Sequence, residues 1–278
     1  MLTINKGRKA RARRLLVYGE NGIGKSSLAA GFPFPIFINL EDGVGDLEVD
    51  STSVIRSVGE FYGVLMQLDK TEYQTIVVDT IDWLEKLIFT EVAQQAGKST
   101  IEDIGFGKGY QAVEAKWQDL LAGFTYLWLQ GRHIVFTCHE SIDKFTNPEG
   151  DSYNFWRPSL HAKGSGCITE WCDEVFFMRY RTATVRMKEG FGNERAVAVG
   201  GKERYIATTK AASHEAKNRL GLPDEIAPTF DAIRPYLPPV KFTPAVASQP
   251  AGNIAGVVTD GSSKPKDVTP IEAINSPF

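Results

Sequence analysis

Gly19-Glu20-Asn21-Gly22-Ile23-Gly24-Lys25-Ser26, preceded by the apolar run Leu15-Leu16-Val17-Tyr18, is the stretch on which the fold turns. A glycine, four residues, a second glycine, lysine and a hydroxyl, placed where a strand should pass into a helix, is the pattern of a phosphate-binding loop. The glycines let the backbone curl until successive N–H groups point at one set of phosphate oxygens. Lys25 supplies a cation for the outer phosphates, and Ser26 offers a hydroxyl to Mg²⁺. A helix is expected from Lys25 through Leu28-Ala29-Ala30, presenting its positive end to the same anion. Gly19, Glu20, Asn21, Gly22, Ile23, Gly24, Lys25, Ser26 and Ser27 form the expected nucleotide contacts, with ATP as the default nucleotide.

Outward from the loop, strand and helix alternate. Pro35-Ile36-Phe37-Ile38-Asn39-Leu40 is a short apolar run, and it ends in the acidic pair Glu41-Asp42 followed by Gly43. A short strand at 53–56, a helix at 61–68 and the buried strand Gln74-Thr75-Ile76-Val77-Val78-Asp79 come next. Ile81, Leu84, Leu87, Ile88 and Val92 recur at helical spacing. So do Tyr110, Val113, Trp117, Leu120, Leu121, Phe124, Leu127 and Trp128, and both stripes read as helices that cover a sheet. The loop 97–109 between them is glycine-rich and basic, and 133–139 is the next strand.

Residues 140–169 show no period and read as a long functional or mobile connection. Late strands are expected at 173–180, 183–187, 196–199 and 204–207, the middle ones hairpin-like around Gly190 and Gly192. A short helix at 214–220 should stop at Gly221 and Pro223. This order predicts an α/β fold with a mostly parallel sheet flanked by helices and late antiparallel strands. Three parts are expected: a basic arm at 1–14, a core at 15–237, and a disordered tail at 238–278 rich in Ala, Ser, Pro and Gly.

With 278 residues, 42% hydrophobic and 23% charged, the chain is long and apolar enough for a full core. It has neither a run approaching the ~18 apolar residues of a membrane span nor a signal-peptide core, so a soluble cytoplasmic protein with no membrane partner is expected. Cys138, Cys167 and Cys172 match neither a disulfide framework nor a paired zinc pattern and read as reduced, structural thiols. The net charge of −3 makes the whole chain no obvious binder of polyanions. Lys6, Arg8, Lys9, Arg11, Arg13 and Arg14 lie in a stretch without acids, read either as an arm for nucleic acid or as a solvated lead-in.

Hydrolysis of a γ-phosphate requires cradled phosphates, a held Mg²⁺ and an oriented, deprotonated water. Asp79, ending an apolar strand, is the carboxylate expected to join Ser26 on Mg²⁺; the other reading is a helix cap. The next residue is Thr80, so an Asp-Glu pair for water activation is missing. Glu41 is the best replacement, because it ends the strand expected beside the loop strand, with Asp42 as runner-up and a surface ion pair as the plain alternative.

The order of phosphate loop, Phe37-Ile38-Asn39-Leu40-Glu41-Asp42, Thr75-Ile76-Val77-Val78-Asp79-Thr80 and His133-Ile134-Val135-Phe136-Thr137-Cys138-His139 resembles the RecA-type P-loop ATPase core. Within that class it looks most like short phage-encoded ATP-binding proteins that act in single-strand annealing and recombination. The resemblance covers 13 to about 237. It implies Glu41 as catalytic glutamate and His139 as γ-phosphate sensor, a place where RecA itself has glutamine; a satisfied strand-end histidine is the other reading. It also implies an oligomer, ring or filament, in which Lys217 or Arg219 from 210–219 completes a neighbour's site. A solvated helix face is the alternative there.

Binding of single-stranded DNA needs cations for the backbone and aromatic faces for the bases. Two loops supply both, with Lys108 and Tyr110 beside Phe106 in the first, and Lys144, Phe155, Trp156, Arg157 and Lys163 in the second. Packing of these aromatics onto the domain is the alternative. The ending Asn275-Ser276-Pro277-Phe278 resembles faintly the terminus of bacterial single-strand binding proteins, which would add those proteins as partners. The expectation is thus an ATPase that binds single-stranded DNA and assists annealing, recombination or replication. Its rivals are a P-loop kinase for a small acceptor and an ATP-switched DNA-binding module with incidental hydrolysis.

Overall fold

The computed structural model describes residues 10–41, 43, 45–148, 150–189 and 193–242, with 183–189 and 193–199 described by backbone alone. Lys6, Arg8, Lys9, Asp42, Gly190, Gly192 and everything from 243 onward lie outside the described residues. In chain order the elements are β1 (Arg14–Gly19), α1 (Lys25–Ala30), β2 (Pro35–Asn39), β3 (Asp50–Ser51), α2 (Val58–Leu68), β4 (Thr75–Asp79), α3 (Ile81–Gln95) and α4 (Lys108–Leu129). They continue with β5 (His133–Phe145), β6 (Tyr153–Pro158), α5 (Ala162–Trp171), β7 (Glu174–Glu189), β8 (Asn193–Ala207), β9 (Lys217–Asn218), β10 (Glu225–Ile226) and α6 (Phe230–Ile233).

The strands form one sheet in the order β10-β8-β7-β1-β5-β4-β2-β3, with β6 on the outer half of β5 and β9 on β7. From β7 to β3 every neighbour is parallel, and β8, β10, β6 and β9 are antiparallel. The expected α/β class is what forms. Alternate residues feed two cores: Leu16, Tyr18, Val78 and Phe136 pack under α2 to α5, while Leu15, Val17, Val77 and Val135 pack under α1 and α6. All seven apolar residues of the second helical stripe from Val113 to Trp128 are buried in α4. Its first member, Tyr110, is half-buried.

Five expectations change. β2 is not beside β1, because β5 and β4 lie between them. No strand forms at 53–56; Ile55 N–H donates instead to the Asn39 carbonyl, and the sheet edge is the two-residue β3. The stretch 140–169 is structured: β5 runs on past His139 into a hairpin with β6, and α5 follows. α5 escaped the periodic reading because Gly164 and Gly166 weaken the stripe, yet Gly164 is required by a close approach. A Cβ there would lie 2.3 Å from Glu85 Oε1.

The helix expected at 214–220 is absent. Its N–H groups have distant partners: those of Arg219 and Leu220 donate to Glu174 Oε2 at 2.8 and 3.3 Å, and that of Glu215 donates to the Trp156 carbonyl at 2.9 Å. Asn218 closes the following turn, accepting from the N–H groups of Gly221 and Leu222. The tail also begins later than its composition suggests, since Val240 packs on the core and the Arg132 guanidinium lies 4.8 Å from the Phe242 ring.

Candidate nucleotide site

β1 delivers the chain to the sheet edge and Gly19 lets it turn there: a Cβ on Gly19 would lie 2.2 Å from the Met178 carbonyl oxygen of β7. Gly24, at φ 109°, occupies the left-handed region and serves as N-cap of α1. Lys25 is buried, and its Nζ donates to the carbonyls of Gly19 at 3.0 Å and Glu20 at 2.9 Å. Burial lowers the Lys25 pKa, opposed by Cys138, Asp79, Asp82 and Glu41.

Asp79 at the end of β4 is held from two sides. Ser26 Oγ donates to its Oδ2 at 2.8 Å, and Thr137 Oγ from β5 donates to its Oδ1. A hydroxyl and a carboxylate in contact at the cavity wall are hard oxygen donors, the set that suits Mg²⁺. The structure therefore fits the expected metal pair, and Thr137 is a support that the sequence reading missed.

Glu41 and His139 also meet here. His139 Nε2 lies 3.9 Å from Glu41 Oε1, while His139 Nδ1 lies 2.8 Å from Asp82 Oδ2 and the His139 N–H donates to Asp82 Oδ1 at 3.2 Å. Burial opposes ionisation of Asp82, but hydrogen bonding and charge from His139 prevail and bring its pKa below the usual value. An ionised carboxylate only accepts, so Nδ1 carries a proton and Nε2 faces Glu41. Burial raises the Glu41 pKa, with His139 acting against it and Asp79 and Asp82 with it. Asp82 was missed by the sequence reading; its position three residues after Asp79, in the first turn of α3, is the available signal.

Asn21, Gly22, Gly24, Lys25, Ser26, Ser27, Glu41, Asp79 and His139 line one cavity of about 430 Å³, together with Asp46 and Leu47. The structure thus gathers Lys25, Ser26, Asp79, Glu41 and His139, although β2 lies three places from β1. Gly19 and Glu20 supply the carbonyls that hold Lys25, and Ile23 is a buried anchor of the loop. Lys217 and Arg219 lie at the opposite edge of the sheet, where β1 and β7 begin. Lys217 Nζ donates to the carbonyls of Thr169, Glu170 and Cys172 at the end of α5, and Arg219 pairs with Asp173 at 3.3 Å.

The residues considered for DNA divide. Trp156 is half-buried, with its ring centroid 6.4 Å from that of Phe177. Arg157 donates to Asp143 and to the Leu160 carbonyl, and Lys163 pairs with Glu114 at 2.8 Å. Tyr110 stacks on His161 with centroids 4.1 Å apart. Lys108 and Lys144 are exposed. Phe155 joins Phe145, Tyr153 and Lys210 around a groove of about 550 Å³ beside the β5–β6 hairpin.

Among the described residues no helix is long and apolar enough to cross a membrane. Comparison with known proteins finds 27% identity over 151 residues, 49% of this chain, to the SPbeta prophage-derived uncharacterized protein YorG of Bacillus subtilis (strain 168). The match spans 44% of that protein's length. Among solved structures the chain is similar to the KaiC-like protein PH0186 of Pyrococcus horikoshii OT3, with 14% identity and a TM-score of 0.35, covering 70% of this chain and 85% of that one. It is also similar to the flagellar accessory protein FlaH of Methanocaldococcus jannaschii, with 13% identity and a TM-score of 0.34, covering 75% and 88%. A family model described as an AAA domain matches residues 11–220, and by that match, on a phosphate loop whose lysine, hydroxyl and strand-end carboxylate converge, the chain belongs to the AAA-domain family of P-loop ATPases.

Proposed function

We propose that the chain hydrolyses ATP at this cavity, binds single-stranded DNA, and works as an oligomer in annealing, recombination or replication. The observation that carries the hydrolytic reading is the convergence of Lys25, the Ser26–Asp79 pair and the Asp82–His139–Glu41 series on one cavity. Lys25 compensates charge on the outer phosphates, and Ser26 and Asp79 would hold Mg²⁺, whose charge would add to that compensation. Glu41 takes the proton of the attacking water, a task helped by a pKa above the usual carboxylate value. Asp82 holds His139 so that Nε2 is turned toward Glu41 and the outer end of the triphosphate.

The DNA reading rests on the groove of Phe145, Tyr153 and Phe155, an aromatic wall of the kind on which bases stack, where Lys210 is paired with Glu215 at 2.8 Å. It also rests on the prophage origin in the name of the Bacillus subtilis relative. In the oligomer Arg219, whose side chain is 51% exposed, is the residue that would reach a neighbouring copy. Lys217 is held too closely by three carbonyls for that part.

Phosphate release measured with and without single-stranded DNA, beside DNA binding measured with and without ATP, tests the whole reading. Mutual stimulation is the expected result. Release indifferent to DNA would remove the DNA part, and transfer of phosphate to a small acceptor would replace the hydrolase by a kinase.

A further inference from the structure

The sheet order gives a nucleotide on the loop a direction. Asp79 and His139 lie on β4 and β5 and Glu41 follows β2, all on one side of β1, so the γ-phosphate end faces that side. The ribose and base then face the other side, where β7 and β8 lie. There Arg204 of β8, paired in register with Tyr180 of β7, donates from Nη1 to the Ile23 carbonyl at 2.9 Å. The same nitrogen lies 2.8 Å from the place a Cβ on Gly24 would take. The guanidinium fills the volume that this glycine leaves open, so it is pressed against two successive loop residues.

We propose that Arg204 is a positioning residue for the nucleotide. In a trans peptide the carbonyl and the following N–H point opposite ways. Holding the Ile23 carbonyl outward therefore turns the Gly24 N–H toward the cradle. Being remote from the γ-phosphate end, Arg204 supports ADP and ATP equally, unlike Glu41 and His139. The inference rests on the reading of the loop as a nucleotide site.

Titration of the full chain with ATP and with ADP, in wild type, Arg204→Ala, Arg204→Lys and Lys25→Ala, tests it. Arg204→Ala should weaken both nucleotides by the same factor, about tenfold for the loss of one charge-assisted bond from the Gly24 N–H to phosphate. Arg204→Lys should recover part of the loss, and KM for ATP should rise in step with Kd while kcat changes less than about twofold. The melting temperature without nucleotide should stay at the wild-type value, since Arg204 is exposed.

Wild-type affinity in Arg204→Ala, or a loss confined to ATP, would overturn the inference. So would an equal loss in both Arg204 variants accompanied by a lowered melting temperature. Failure of the wild type to bind either nucleotide, or full binding by Lys25→Ala, would instead overturn the loop reading underneath it.

Discussion

The two ends of the central strands carry comparable densities of charge and use them differently. Where β1 and β7 begin, buried Asp173 and Glu174 are surrounded by Arg11, Arg13, Arg14 and Arg219. Arg14 grips Asp173 with Nε and Nη2 at 3.1 and 3.0 Å and lies over the rings of Trp128 and Trp171. Each of these cations meets a carboxylate of the same chain, a structural joint closed by internal pairing, at whose margin Arg11 lines a cavity with Trp128. Where β1 and β4 end, beside the middle of β5, Lys25, Ser26, Asp79, Glu41 and His139 instead line a shared cavity. Charge clustering by itself does not mark a site; charges facing one open volume do. The arginines at 11, 13 and 14, read from sequence as part of an arm, belong to the closed joint.

This contrast can be broken by substitution, starting with the largest effect. Lys25→Ala should weaken ATP binding at least about 100-fold, through the loss of a buried cation aimed at phosphate. Calorimetric titration reads it directly. Glu41→Gln should lower kcat about 10²- to 10³-fold while Kd for ATP stays within a few-fold, as for a lost general base. Unchanged turnover would remove Glu41 from the reaction.

At the other edge, Asp173→Ala should cost about 3 kcal/mol in urea unfolding, because it strips the partner from Arg14 in a buried pair. Its effect on Kd for ATP should be small, and a large one would show that the two ends are coupled. Asp82→Asn should sharpen the picture inside the site with a smaller effect, about tenfold in kcat, since the amide no longer dictates the proton on His139 Nδ1.

A pH dependence is expected beneath α5. Glu85 accepts from the His161 N–H at 2.8 Å and lies 3.4 Å from Trp117 Nε1, and burial raises its pKa to about 7. The folded chain therefore holds a proton that the unfolded chain has released between pH about 4.5 and 7. Stability from this group is present below that window, falls as pH rises through it, and is flat above it. Burial raises Glu174 to about 7 as well and gives the same sign. His133, lowered to about 4 by burial and by Arg13, gives the opposite sign below its ordinary value. Comparing Glu85→Gln with wild type isolates Glu85: the wild type should lose on the order of 2 kcal/mol more than the variant between pH 5 and pH 8. Parallel curves would show that Glu85 is ionised throughout.

Much of this was legible in the residues. The loop carries its own geometry in its glycines, and the apolar runs ending at Asn39, Asp79 and His139 mark strands whose polar ends must surface at one edge. Other parts were hidden because their partners are distant in the chain. Gly164 reads as a helix breaker until Glu85 and Trp117 are seen against it. The helical composition of 214–220 yields to Glu174, which takes the N–H groups a helix would have used.

That a phosphate loop sits between a strand and a helix in an alternating α/β chain follows from neighbouring residues alone, because local backbone freedom and apolar spacing are written there. That β5 and β4 separate β2 from β1, that Asp82 orients His139, that Arg204 presses on the loop, and that Lys217 and Arg219 lie at the far edge emerges only when the folded chain brings distant residues together. Those outcomes depend on strand order and on side chains up to 181 residues apart, which no local pattern encodes.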